Sequence, residues 1–226
     1  MNSRSFTGYM LMAGPLLTFL IFVVWSQTVG TFDWGESSEA IPALGAEYGM
    51  VKTLTALWFV TFMMILVGLR GIQQSMGSGS GAHFAMAGFI VVVVGMTLSL
   101  GQGAINVGVA KAGEGIIALT PAVAAGQAPA AVLAGVTQTA NTMYAVSASL
   151  DGFGQYLMYI GFAMLGLGFC IQQVFSKAVC GLVVVVGLLG VILVLIDKDA
   201  TIAIVPFLGM LIMNLVMGFM FFTAKD

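Results

Sequence analysis

Residues 84–110, FAMAGFIVVVVGMTLSLGQGAINVGVA, contain no charged side chain. A helix rises 1.5 Å per residue and the hydrocarbon core of a bilayer is about 30 Å thick, so roughly 20 apolar residues suffice to cross it. The stretch exceeds that length and reads as a transmembrane helix. Five more runs of comparable character follow from the same test, at 8–30, 50–69, 153–172, 178–196 and 201–223, each bounded by charges, glycines or aromatics. The expected fold is an all-α polytopic membrane bundle: six transmembrane helices, with short external helices between spans three and four.

Composition agrees with that reading. Of 226 residues, 60% are hydrophobic and 7% charged, with a mean hydropathy of +1.08. Soluble chains carry about 25% charged residues, so this one has too few to cover a water-facing surface. Disorder requires low hydrophobicity and high net charge, and a net charge of −2 offers no basic footprint for nucleic acid. The 30 glycines suit close helix packing in lipid, where small residues let backbones approach. The bilayer is therefore the first expected partner.

Arg4 ahead of the first run resembles the start of a secretory signal. However, the apolar stretch is longer than the usual signal core, and no small-x-small cleavage site follows Trp25. An uncleaved first span is expected, with Tyr9 and Trp25 as interfacial aromatics near its ends. Six spans put both termini on one side with Arg4, Arg70, Lys177 and Lys225 against Asp226. The opposite side collects Lys52, Lys111 and Lys198 against Asp33, Glu36, Glu39, Glu47, Glu114, Asp151, Asp197 and Asp199. The bias of Lys and Arg favours cytoplasmic termini in a cell membrane, and it places His83 on the cytoplasmic side too.

The stretch 111–151 admits three readings: an external excursion, a re-entrant segment, or a seventh span. Gln127, Thr137, Gln138, Thr139, Asn141 and Thr142 make it polar for lipid exposure. A seventh span would leave only Asp151-Gly152 as its turn and would move Lys177 and Lys225 outside. Six spans plus one or two short helices are expected. The external loop after span one holds Asp33, Glu36, Glu39 and Glu47 without calcium-ligand spacing. Trp34 and Ile41-Pro42 point to part of that loop folding back onto the membrane surface.

An internal similarity links the second and third spans to the fourth and fifth. Gln73-Gln74 precedes the run Ile90–Gly95 as Gln172-Gln173 precedes Leu182–Gly187. Read as a duplicated hairpin, over 50–110 and 153–196, it resembles the parallel repeats of some transporters; chance agreement of valine-rich spans explains it as well. Residues 75–81, SMGSGSG, read as a flexible connector.

In the third span Ser99, Gln102 and Asn106 recur at three and four residues, on one helical face. With Gln138, Asn141 and Asn214 they are candidates for a polar cavity admitting a small neutral solute. Interhelical hydrogen bonding, worth about 0.6 kcal/mol on average, accounts for the same residues without a ligand. No charged residue falls near the middle of a span, which weighs against proton pumping or voltage sensing. Gly95, Gly101, Gly103 and Gly108 on span three, Gly161, Gly166 and Gly168 on span four, and Gly187 and Gly190 on span five are candidate close-packing positions, for self-association or for a partner.

Met210, Met213, Met217 and Met220 form a thioether stripe on span six. Met213 and Met217 have the Met-x-x-x-Met spacing that resembles the pore motif of eukaryotic copper transporters, and thioethers suit Cu(I). Adaptable packing is the competing role and the one expected. Cys170 and Cys180, near the cytoplasmic ends of consecutive spans, are expected as free thiols on a reducing side. No cofactor or metal is expected, and no catalytic motif is present: neither a Gly-x-Ser-x-Gly elbow nor a glycine-rich loop followed by lysine.

The final span opens at Pro206-Phe207 and closes near Gly218-Phe219, after a short basic loop between spans four and five. In these features residues 160–222 resemble a family of uncharacterised six-span prokaryotic membrane proteins, known only as a domain of unknown function. The resemblance implies topology and no activity. Two functional readings follow: a structural or interaction subunit of a membrane complex or homo-oligomer, and a passive channel or transporter for a small neutral solute.

Overall fold

The computed structural model describes residues 3–30, 35–197, 202 and 204–224. Asp33, Trp34, Lys198, Asp199, Thr201, Lys225 and Asp226, which enter the expectations above, lie outside the described residues. Among the described residues seven helices are formed: α1 (Ser3–Thr28), α2 (Ser37–Ala46), α3 (Tyr48–Ser75), α4 (Ser80–Ala124), α5 (Ala130–Gln172), α6 (Lys177–Asp197) and α7 (Ile204–Thr223). All but α2 are long and apolar enough to cross a membrane, so the chain is an all-α protein with six membrane-length helices. The expected excursion between spans three and four is helical, but it is built by extending α4 and α5 rather than from separate short helices. At 45 and 43 residues these two helices are about 65 Å long, twice the hydrocarbon thickness.

The turn between them explains why no extra helix start is needed. Gly126 has φ +70°, Gln127 N donates to Ala122 O at 2.8 Å, and Gly126 N donates to Val123 O at 3.0 Å. These are the paired bonds of a Schellman cap, with glycine in the left-handed position and Pro129 blocking continuation. α5 ends in the same motif: Val174 N donates to Phe169 O at 3.1 Å and Gln173 N to Cys170 O at 3.3 Å. Here the left-handed residue is Gln173, at φ 56°.

The chain divides into two compact units. The first comprises Met1–Leu20, Phe59–Leu98 and Gly152–Asp226. Its pieces of α1, α3, α4 and α5, with all of α6 and α7, are each roughly 17–21 residues, about 25–32 Å. Outward faces stay apolar: Leu182, Val185, Leu188, Leu189, Ile192 and Leu195 on α6 are all exposed. So many large apolar side chains facing outward on a helix mark contact with lipid. The second unit comprises Ile21–Trp58 and Ser99–Asp151. Its core gathers Trp25, Val29, Ile41, Leu44, Leu54, Val109 and Tyr144, with Trp25 and Trp58 tilted at 5.8 Å between ring centroids. The helix α2, unforeseen from sequence, buries Ile41 and Leu44 there and sets Gly45 against Gly113.

Backbone contact through glycine organises the first unit. On α4, Gly81, Gly88 and Gly95 are seven apart; on α5, so are Gly154, Gly161 and Gly168. The antiparallel helices pair them as 81 with 168, 88 with 161 and 95 with 154. A Cβ on Gly161 would lie 2.6 Å from Val92 N and 2.7 Å from Gly88 O. One on Gly95 would lie 2.7 Å from Gly154 O, and one on Gly168 2.7 Å from Gly81 O. Gly187 of α6 meets Ala163 N in the same way, at 2.6 Å, and Gly190 faces the Tyr159 ring. On the other flank Gly68 and Gly71 of α3 receive Leu11 and Thr7 of α1, while Gly8 of α1 and Gly218 of α7 face each other.

Gly161→Ala and Gly88→Ala are expected to destabilise the bundle by about 1–3 kcal/mol, because the added methyl meets backbone that cannot move aside. Gly181→Ala, at a helical site with nothing within 4 Å, is expected to be neutral or to stabilise by up to about 1 kcal/mol. Gln173→Gly should raise the unfolding midpoint, since it relieves a left-handed cost of about 1–2 kcal/mol against some added chain entropy. Thermal unfolding in detergent, followed by circular dichroism, measures all four.

Candidate functional site

In the second unit the α4 segment from residue 99 runs antiparallel to the α5 segment up to residue 151. Spacing of three and four does place Ser99, Gln102 and Asn106 on one side of α4, but their surroundings differ. Asn106 is 3% exposed and Ser147 2%. Ser147 Oγ donates to Asn106 Oδ1 at 2.6 Å. This is a closed polar pair between two helices, with the amide oxygen engaged by a hydroxyl. Ser99 and Gln102 are half-buried, and the Ser99 hydroxyl is enclosed without a hydrogen-bond partner among the described residues. On α5, Asn141 is half-buried and Gln138 exposed.

Asn214 belongs to α7 in the first unit. It is fully buried, and its Nδ2 donates to Met210 O one turn back, at 2.9 Å. Its Oδ1 has no hydrogen-bond partner among the described residues. Met210, Met213 and Met217 are buried around the same face of α7, in the packing role open to flexible thioethers. The structure thus joins Asn106 to Ser147, and Asn214 to its own helix. Ser147 was not singled out from sequence; it lies forty-one residues from its partner, and only the α4–α5 register reveals the pairing.

The glycines fall into two groups. Gly95, Gly161, Gly166, Gly168, Gly187 and Gly190 are in contact with helices of their own unit. Gly103 faces Thr55 at 3.2 Å, Gly108 faces the Met143 methyl, and Gly101 meets only Leu150 at 3.9 Å. Gly81, Gly88 and Gly154 were missed by the sequence reading although their seven-residue spacing was present to be read.

Charged side chains sit at helix ends or in the second unit. Lys111 pairs with Glu114 at 2.6 Å and lies 4.9 Å from the Tyr48 ring centroid. The Glu114 carboxylate raises the Lys111 pKa above its ordinary value, so the ammonium stays charged at neutral pH. Arg70 donates to Gln73 and, at 3.2 Å, to Met86 Sδ, and lies 5.8 Å from the Phe89 ring centroid. His83 Nδ1 is 2.8 Å from Gly79 O. Cys170 and Cys180 are free thiols, and Cys180 Sγ donates to Phe175 O at 3.6 Å. Among the described residues no three His, Cys, Asp or Glu side chains converge to hold a metal ion. No protein-family model, curated protein or solved structure matches the chain.

Truncating either partner of the buried pair is expected to destabilise the protein, Asn106→Ala more than Ser147→Ala, because the hydroxyl then loses its acceptor. A double-mutant cycle should give a coupling of about 0.6 kcal/mol and no more than about 1.7. Denaturant titration in mixed micelles supplies the four stabilities. A coupling of zero would mean that the bond contributes nothing to the fold.

Proposed function

We propose that the protein is a structural or interaction subunit of an assembly in the cell membrane, formed with another membrane protein or with itself, with both termini cytoplasmic and no catalysis of its own. The observation that carries this reading is the surface of the α4–α5 extension. Residues 115–150 contain no charged side chain, yet they belong to helices about twice as long as a bilayer core is thick. Ile117, Val132 and Val146 are exposed there, among alanines and threonines. Helices of that length exceed the bilayer core, and an uncharged stretch left beyond it would offer water an apolar surface of the kind that marks protein contacts.

Two further facts support it. Eight of the nine glycines proposed for packing, all but Gly101, are closely faced by neighbouring helices, so they stiffen the chain and leave association to other surfaces. Asn106 is tied to Ser147 in a buried contact, which gives that amide a structural use. The orientation rests on the distribution of Lys and Arg.

Purified in mild detergent, the chain should run as a complex larger than its own 23.5 kDa plus micelle, by light scattering and native mass spectrometry. Ile117→Glu with Val132→Glu should dissociate that complex while leaving the helical content and the unfolding midpoint of the first unit unchanged. A monodisperse single chain, without partner and unaffected by the two substitutions, would remove the basis of the proposal.

A further inference from the structure

α5 and α6 form a hairpin within the first unit, and one register runs along it. On Gly187 of α6 an added Cβ would lie 2.8 Å from the Ala163 Cβ; one turn nearer the loop, a Cβ on Gly166 would lie 2.9 Å from Val184 N. The next turn brings Cys170 opposite Cys180. Cys170 follows Ala163 by seven residues and Cys180 precedes Gly187 by seven, so the cysteines repeat the Ala163–Gly187 pairing two helical turns further on. Burial agrees: the buried residues of α6 are Cys180, Val183, Gly187 and Gly190, a single stripe with Cys180 at its end. The loop holds the helix ends together. Val174 N donates to Phe169 O at 3.1 Å, Cys180 N to Ser176 O at 3.0 Å and Cys180 Sγ to Phe175 O at 3.6 Å, and the Phe169 and Phe175 rings meet edge to face, 5.7 Å between centroids. Access differs between the two thiols: Cys170, two residues from the end of α5, is half-buried and Cys180 fully buried.

Disulfide-bonded cysteines hold their Cβ atoms about 3.8 Å apart, a spacing that a hairpin in backbone contact two turns away leaves within reach. We infer that Cys170 and Cys180 form a thiol–disulfide exchange site whose substrate is a small-molecule disulfide. The Cys170 thiol loses its proton and the thiolate attacks one sulfur of that disulfide; the S–S bond breaks, one small thiolate leaves and takes up the proton, and a mixed disulfide remains on Cys170. Cys180, facing it, then gives up its own proton and its hydrogen bond to Phe175 O, and attacks the Cys170 sulfur. The second small thiolate leaves and takes that proton. The protein has lost two hydrogens with their electrons, all taken up by the small disulfide, which ends as two thiols. A large excess of the small thiol reverses both steps. The closed bond ties the last turn of α5 to the first turn of α6. This inference stands apart from the proposed subunit role.

The test uses the full chain in mild detergent, reduced and then given oxidised glutathione, with remaining thiols alkylated by N-ethylmaleimide before intact-mass and peptide analysis. Lys177 lies between the cysteines, so trypsin separates them unless a disulfide joins the fragments. The native chain should lose two hydrogens, take up no maleimide and give joined fragments that dithiothreitol separates. Cys180→Ser should stop at one glutathione retained on Cys170. Cys170→Ser should keep its buried thiol, taking up glutathione about tenfold more slowly, or slower still, than Cys180→Ser. Moving the second thiol, in Cys180→Ser with Leu182→Cys, should slow closure by about tenfold or more, since Leu182 lies on the exposed face of α6. Where a variant does not fold, the native chain decides alone: glutathione held on Cys170 without joined fragments, disulfides between chains, or no reaction overturns the site. Closure at the native rate through Leu182→Cys overturns the register on which it rests.

Discussion

The contact on which the membrane-length bundle depends is between bare backbones. At Gly161 the opposing α4 backbone comes so near that a methyl group would stand 2.6 Å from a peptide nitrogen. Lipid offers little hydrophobic drive for one helix to join another, so association rests on dispersion, and dispersion rewards close approach. Glycine at every seventh position keeps that approach on one stripe over three pairs. A seven-residue repeat lags a straight helix by about 20°, which the shallow crossing of antiparallel helices absorbs. The contacts of α6 on α5 and of α1 on α3 repeat the device with glycines set against other residues, and α1 meets α7 through the pair Gly8 and Gly218. Larger side chains are thereby turned outward, and the faces they form are the ones that meet lipid.

The second unit is organised differently. Aromatic and branched side chains fill its core, and a hydroxyl–amide pair bridges α4 and α5. The same two helices thus pack on glycine over one part of their length and on side chains over another. Gly101 shows the change: in place of a backbone it meets only a leucine methyl, 3.9 Å away.

The helices were legible because each span repeats one simple condition, an apolar run of sufficient length with no charge near its middle. That condition concerns local composition and needs no knowledge of neighbours. The continuous course of α4 past residue 110 was harder to read, since Lys111 and Glu114 look like a span boundary. They bound the apolar run without ending the helix, because neither residue interrupts the backbone ladder; the stop waits for Gly126 and Pro129. The α2 helix escaped notice because Pro42 and the acidic residues around it suggest a loop, whereas the burial of Ile41 and Leu44 is supplied by distant parts of the chain. Among candidate residues, spacing alone put Asn106 on a face with Ser99 and Gln102. It contained no information about Ser147, which only the pairing of two helices brings to it.

The three glycine pairs between α4 and α5 have a common property: the residue numbers of each pair add to the same total, so one register serves them all. A single residue inserted between Gly88 and Gly95 would rotate everything after it by about 100°. The last pair would then be lost while the first two stayed. The same insertion in the turn at 125–129 would leave every pair in place, because both helices keep their own phase. Length variation in this chain is therefore tolerated at the hairpin tip and excluded from the glycine stripe, and the chain's permissible gaps are dictated by helical phase.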